Sequence, residues 1–206
     1  MNPVRRNLVT ALAACACLAP LTARAQQHGH QDVIELNPPL PVETQNKIEV
    51  LEFFWYGCIH CYNLEPKLET WLKSLPKDVE FRRVPAVFNE RWALDASIYY
   101  AMDALGLVDK LHRPLFDAIH RDRLRTDRWS EVAAWLEKQG VDAKKFEATV
   151  KSFGVQGKAK RAIRLTTDYK IDGTPAMAVH GRYTVRSTEA MLTRVNELVA
   201  AVRKHK

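Results

Sequence analysis

Cysteine is scarce in this chain. There are four in 206 residues, and Cys15 and Cys17 fall in an N-terminal segment with the marks of an export signal. A disulfide-stapled scaffold is thereby excluded, since such scaffolds are small and cysteine-dense. Beyond that first segment no apolar run is long enough to cross a bilayer, so the remainder is expected to be soluble. Paired metal-ligand motifs are also missing. Past Cys58 and Cys61 there is no further cysteine, and His28, His30, His112, His120 and His180 follow no ligand spacing. No metal site or other cofactor is expected. Basic runs interleaved with aromatics are absent too: residues 121–128 alternate arginine with aspartate and read as a solvated linker, not a nucleic-acid surface.

What is present begins with the export signal. Arg5 and Arg6 precede an apolar run over residues 8–21, and Ala23-Arg24-Ala25 is a small-x-small cleavage site. Residues 1–25 are expected to be removed, leaving a mature chain that starts at Gln26. A lipoprotein-type reading of Leu12-Ala13-Ala14-Cys15 competes with this, but it leaves too short an apolar region before the cut. Cys58 and Cys61 are then the only mature thiols. Arg5, Arg6 and Arg24 leave without any acid, so the mature chain is less basic than the formal net charge of +7.

Periodicity divides the mature chain into three parts. Residues 33–36 suggest a short edge strand, residues 48–55 a buried central strand, and residues 79–84 a second strand. Between the last two, Cys61, Leu64, Leu68, Trp71, Leu72 and Leu75 form one helical stripe, with Pro66 inside it as an expected kink. From residue 91 to about 167 the pattern is helical throughout. Thr126 or Asp127, Asp142 and Ser152 are available as caps or breaks there. Strands return at 176–179 and 183–185 around His180-Gly181-Arg182, and a terminal helix capped by Ser187 follows. The expected fold is α/β: a mixed sheet flanked by helices, formed by residues 26–90 and 168–206, with a helical domain of residues 91–167 inserted.

Gly57-Cys58-Ile59-His60-Cys61-Tyr62 stands at the first strand-to-helix corner. Two thiols one turn apart can close reversibly, and a helix N-terminus favours a thiolate. The loop they close is too short to remove much chain entropy, so the pair reads as a working couple. Cys58 is expected to be the thiolate, Cys61 the deeper resolving thiol, and the His60 imidazole a further stabiliser. A stable thiolate disfavours the disulfide and makes the couple an oxidant.

Three neighbours stay open on sequence grounds. Glu52 is either solvated on an edge strand or a buried acid beneath the thiols, with Lys67 a candidate partner. Pro175 in Gly173-Thr174-Pro175-Ala176 follows either a cis bond that folds against the cysteine loop or an ordinary trans turn. Trp55, Tyr56 and Tyr62 are either core aromatics or the floor of a peptide groove.

The segment from Glu52 to Tyr62 resembles the active-site region of DsbA-type thiol:disulfide interchange proteins, and residues 173–176 resemble their cis-proline loop. The resemblance runs through nearly all of the mature chain and implies a thioredoxin-like fold with an inserted helical domain. It implies a periplasmic oxidase that gives its disulfide to newly exported cysteine-containing proteins and is reoxidised by a DsbB-type quinone-linked membrane partner. It also implies that Cys58 is the nucleophile, Cys61 the resolving cysteine, His60 the thiolate stabiliser, Glu52 a buried acid, and Thr174 and Pro175 the peptide-contacting loop. Ile59 stands where the best-known members have proline, and Thr174 where some have valine. Rival roles are a periplasmic reductase or isomerase, or a chaperone-like peptide-binding module with a structural disulfide. Residues 26–47 look too few for a dimerisation module, so a monomer is expected.

Overall fold

The computed structural model describes residues 32–205. The export signal, its cleavage before Gln26 and the alternative at Cys15 lie outside them. The elements in chain order are β1 (Val33–Glu35), β2 (Ile48–Phe54), α1 (Ile59–Leu72), β3 (Val79–Pro85), α2 (Glu90–Ala104), α3 (Val108–His120), α4 (Trp129–Lys138), α5 (Ala143–Val150), α6 (Phe153–Asp168), β4 (Ala176–Val179), β5 (Tyr183–Val185) and α7 (Met191–Lys204).

The strands form one mixed sheet in the order β1-β5-β4-β2-β3. β2 runs parallel to β3, with Glu52 opposite Arg83, and antiparallel to β4, with Phe53 opposite Ala176. Every residue of β2 is buried, which is why it reads as a largely apolar run instead of an alternation, with Glu49 and Glu52 as buried exceptions. One face carries Val50, Met177 and Val185 against Leu68 and Trp71 of α1 and Val195 and Val199 of α7. The other carries Leu51, Phe53, Val84 and Ala178 against Ala96 of α2 and Ala162 of α6. The long helical stretch is thus not wholly separate from the sheet: α2 and α6 cover it, while α3, α4 and α5 build outward. A third cluster joins Phe54, Tyr56 and Cys61 to Ile98, Leu111 and Phe116, so the cysteine corner is packed directly on the helical lobe.

Local signals met mixed outcomes. Asp142 and Ser152 cap α5 and α6, accepting the Lys145 and Val155 N–H groups at 3.0 and 3.3 Å. Thr126 and Asp127 do not cap α4. Arg128 holds that position without a side-chain bond, because Thr126 is drawn to Asp95 and Asp127 to Arg125. Ser187 does not cap α7 either, which begins after Ala190. α1 stays one helix across Pro66 and ends at Leu72, before Leu75. The β4–β5 hairpin takes positive φ at both His180 and Gly181, and a Cβ at Gly181 would strike the Leu40 carbonyl. Among the described residues no helix is long and apolar enough to cross a membrane.

Candidate active site

Cys58 is the N-cap residue of α1. Its backbone is extended, no side chain caps the helix, and no acid occupies the first turn, so nothing competes with sulfur for the free N–H groups. Its own N–H donates to the Trp55 carbonyl at 3.0 Å, and its carbonyl accepts the Tyr62 N–H at 3.1 Å. Both cysteines are free thiols. Hydrogen bonding from the Cys61 thiol is the largest influence on Cys58. With the Thr174 side chain and the backbone N–H groups of Cys61 and His60, it brings the Cys58 thiol down to about 5, against the opposing effect of burial. As a thiol, Cys58 donates from Sγ to the Thr174 carbonyl at 3.3 Å. As a thiolate it can no longer donate there, and the Thr174 hydroxyl becomes the useful partner.

Cys61 contrasts with it one turn along. Its side chain is completely buried, and burial pushes its thiol far above the ordinary value; the hydrogen bond to Cys58 and the charges of Cys58 and Glu52 add to the effect. Half-exposed Cys58 carries the negative charge, and Cys61 keeps its proton.

Beneath the pair lies a dry cluster of charge. Glu52, in the middle of interior strand β2, has no exposure, which removes the edge-strand alternative. Its partner is Arg83 of β3, Nε to Oε2 at 3.1 Å, and not Lys67, which is exposed. The pair has charge proximity without an aligned hydrogen bond, and both Glu52 oxygens lack a hydrogen-bond partner. Burial therefore wins: the Glu52 carboxyl is pushed up to about 8, with Arg83 pulling down and Glu65 pushing further up.

Arg83 also reaches Glu65 of α1 at 3.2 Å. Burial opposes ionisation of Glu65, yet its hydrogen bond from His112 and the charge of Arg83 hold it below the usual range. Burial keeps His112 neutral. The chain of bonds then assigns its tautomer: Nε2–H donates to the Glu65 carboxylate at 3.4 Å, and Nδ1 accepts the Tyr56 hydroxyl at 2.7 Å.

Tyr56 corrects an expectation. Only 1% exposed and hydrogen-bonded to His112, it is a core residue and offers no surface to a peptide. Trp55 and Tyr62 are half-buried; Trp55 stacks on Trp92 at 4.2 Å, and Tyr62 on His120 at 4.9 Å. The Thr174–Pro175 bond is cis, with Thr174 half-buried against Cys58. Ile59 and His60 are exposed on the first turn of α1. Cys58, Cys61, Thr174 and Glu52 are thus brought together, with Ile59 and His60 at the rim. Sequence reading passed over Arg83, Glu65 and His112. A signal for Glu65 existed, since it sits four residues after Cys61 on an otherwise apolar stripe.

Comparison with known proteins agrees with this geometry. A family model for the DSBA-like thioredoxin domain matches residues 83–199. The thiol:disulfide interchange protein DsbA of Bordetella parapertussis is 44% identical over 173 residues, covering 84% of this chain and 81% of that protein. The protein of the same name from Pseudomonas aeruginosa strain PAO1 is 38% identical over 180 residues, covering 86% and 85%. The crystal structure of Pseudomonas aeruginosa DsbA superposes with a TM-score of 0.79 at 34% identity, covering 84% of this chain and 93% of that one. The oxidoreductase NmDsbA1 from N. meningitidis gives 0.74 at 32% identity, covering 85% and 93%. A mixed sheet with its cysteine pair at the β2–α1 corner, a cis-proline loop against it, and matches of this length place the chain in the DSBA-like thioredoxin family.

Proposed function

We propose that this protein oxidises thiol pairs in exported proteins by giving up a Cys58–Cys61 disulfide. The supporting observation is the split between the thiols, one lowered to about 5 and half-exposed, the other buried and raised. A substrate thiolate attacks Cys58 Sγ, the Cys58–Cys61 bond breaks, and Cys61 leaves with the electron pair and takes up a proton. The substrate's second thiolate then attacks its own sulfur in the mixed disulfide and expels Cys58 as a thiolate. Two electrons have moved from substrate to protein. The lowered pKa of Cys58 makes it a good leaving group in that last step.

Glu52 handles the proton in this scheme. With its carboxyl at about 8 it is mostly protonated at neutral pH, and Cys61 senses its charge. It gives a proton to Cys61 as that sulfur leaves and recovers it on reoxidation. Thr174 and Pro175 present backbone to an extended substrate beside Cys58. His60 and Ile59 border the sulfur, the imidazole adding positive charge when protonated.

The wider setting is part of the same proposal. Residues 1–25 direct export to the periplasm, the mature monomer begins at Gln26, and a DsbB-type quinone-linked membrane oxidase restores the disulfide. Residues 26–90 and 168–206 form the redox domain, and residues 91–167 are inserted in it as a helical domain. The test joins thiolate titration of the purified protein to its glutathione equilibrium. A midpoint well below that of free cysteine, with an oxidising equilibrium, supports the reading; an ordinary thiol midpoint defeats it. Offered a disulfide such as oxidised glutathione, Cys61→Ser should accumulate a mixed disulfide, because Cys58 displaces one thiol from it and no Cys61 resolves the product; Cys58→Ser should form none.

A further inference from the structure

The cysteine corner is gripped from the helical lobe by its aromatic neighbour. Trp55 opens the turn that carries Cys58, its carbonyl accepting the Cys58 N–H at 3.0 Å. Its indole runs back beneath the loop, where a Cβ on Gly57 would overlap the ring. Gly57 does not have a positive φ, so the corner needs glycine there for space and not for backbone freedom. One face of the indole lies flat on Trp92 of α2, at 4.2 Å and 11°. The indole N–H donates to Asp95 Oδ2 at 2.8 Å.

Asp95 is only 2% exposed and fully engaged. Its other oxygen accepts from Arg91, one turn earlier on α2, at 3.1 Å, and from the Thr126 hydroxyl, which the linker before α4 supplies. Arg91 also donates to Thr126. A buried carboxylate with three donors is rigid, and a charge-assisted bond from a rigid acceptor aims the donor ring. The ring in turn sets the height of Gly57, next to Cys58.

We propose that Asp95 is a positioning residue for the redox centre: by holding the Trp55 indole under Gly57, it fixes where the Cys58 sulfur sits relative to the donors that favour its thiolate. The inference rests on the oxidase reading above, and acts through backbone and ring, with no contact between Asp95 and either sulfur. It assigns the lobe a part in the chemistry: α2 and the linker before α4 tune the couple through one indole.

Three variants of the exported, signal-free protein test it. Asp95→Ala removes the acceptor, Trp55→Phe removes the donor and the outer ring, and Gly57→Ala pushes on the ring from the loop side. Each should raise the Cys58 thiolate midpoint, read from thiolate absorbance against pH, and shift the glutathione equilibrium toward the disulfide form by about fivefold, a fraction of the full effect of one lost charge-assisted hydrogen bond because Asp95 acts through ring and backbone. Asp95→Asn keeps an acceptor for the indole and should restore most of the wild-type midpoint. Asp95→Ala combined with Trp55→Phe should shift the equilibrium no further than the larger single change, because both act on one contact. If the variants only lower stability, equally in the oxidised and reduced forms, with midpoint and equilibrium unmoved, Asp95 is structural and the proposal is overturned. If the wild-type midpoint is itself ordinary, the oxidase reading fails instead, so the two failures are distinguishable.

Discussion

Arg82 and Arg83 are neighbours on β3, and each serves two carboxylates, yet the two clusters they build behave differently. Arg82 pairs with Glu43 and with Glu49, Nη2 to Oε2 at 2.6 Å, and a third of its side chain stays exposed. Glu49 is further satisfied by the Glu43 N–H at 3.1 Å. Arg83 faces the other side of the sheet, half as exposed, between Glu52 and Glu65. There Glu52 has charge nearby but no aligned hydrogen bond. The same residue types, one position apart, yield a brace whose buried Glu49 is well hydrogen-bonded and an interior cluster under the cysteines whose buried Glu52 is not. Hydrogen bonding separates them, since Glu49 is nearly as buried as Glu52. Where well-placed donors remain, a buried carboxyl group is structural; where they are lacking, burial raises the carboxyl and it retains a proton that the redox chemistry can use.

Breaking both clusters in the same way should expose that difference most strongly. Arg83→Met leaves Glu65 buried without its guanidinium and should cost about 3–5 kcal/mol in denaturant unfolding, the range for stranding one member of a buried pair. Arg82→Met also leaves a buried partner, Glu49, but one that keeps the Glu43 N–H, and should cost less, about 1–3 kcal/mol. Similar losses from the two variants would remove the distinction.

The redox state offers the next largest contrast. The folded Cys58 thiol is depressed from 9.0 to about 5, so the reduced protein gains stability from its thiolate as pH rises from about 5 toward 9, and loses it as pH falls through 5. The oxidised protein carries no such group. Reduced protein should therefore exceed oxidised protein in unfolding free energy near pH 8, with the gap narrowing on acidification to pH 4. A gap that widens in acid would contradict the thiolate assignment.

Glu52→Gln sharpens the comparison from the interior side. A carboxyl raised from 4.5 to about 8 destabilises the fold increasingly as pH climbs between those values, because the unfolded chain ionises first. The amide removes that burden. It should raise stability at pH 8 by roughly 1–2 kcal/mol, have little effect at pH 4, and slow thiol exchange. A stability change independent of pH would point to packing alone. The corresponding Glu49→Gln change should give the smallest effect, a loss of about 1 kcal/mol from a weakened hydrogen bond.

Much of this molecule was legible from residue order because it depends on local chemistry. The strand, corner and helix around Cys58 follow from an apolar β-rich run giving way to a helical stripe. The α5 and α6 starts follow from Asp142 and Ser152. Where local signals failed, a distant partner had claimed the side chain: Thr126 looks like a cap but is taken by Asp95 across the fold. Tyr56 looks like an aromatic available to a peptide until His112 of α3 closes over it. Arg83 and Glu65 come from different elements, and only the parallel pairing of β2 with β3, and the packing of α1 on them, brings their charges together.

The order of residues alone determined that two thiols meet at a helix N-terminus and that few others exist to compete with them, because spacing along one chain is enough for that. The tertiary structure decided how acidic each sulfur is, which acid lies beneath them, whether the Thr174–Pro175 bond is cis, and which lobe residues steady the corner. Those properties depend on burial and on donors supplied by distant segments, and a linear sequence specifies neither until the chain has closed around them.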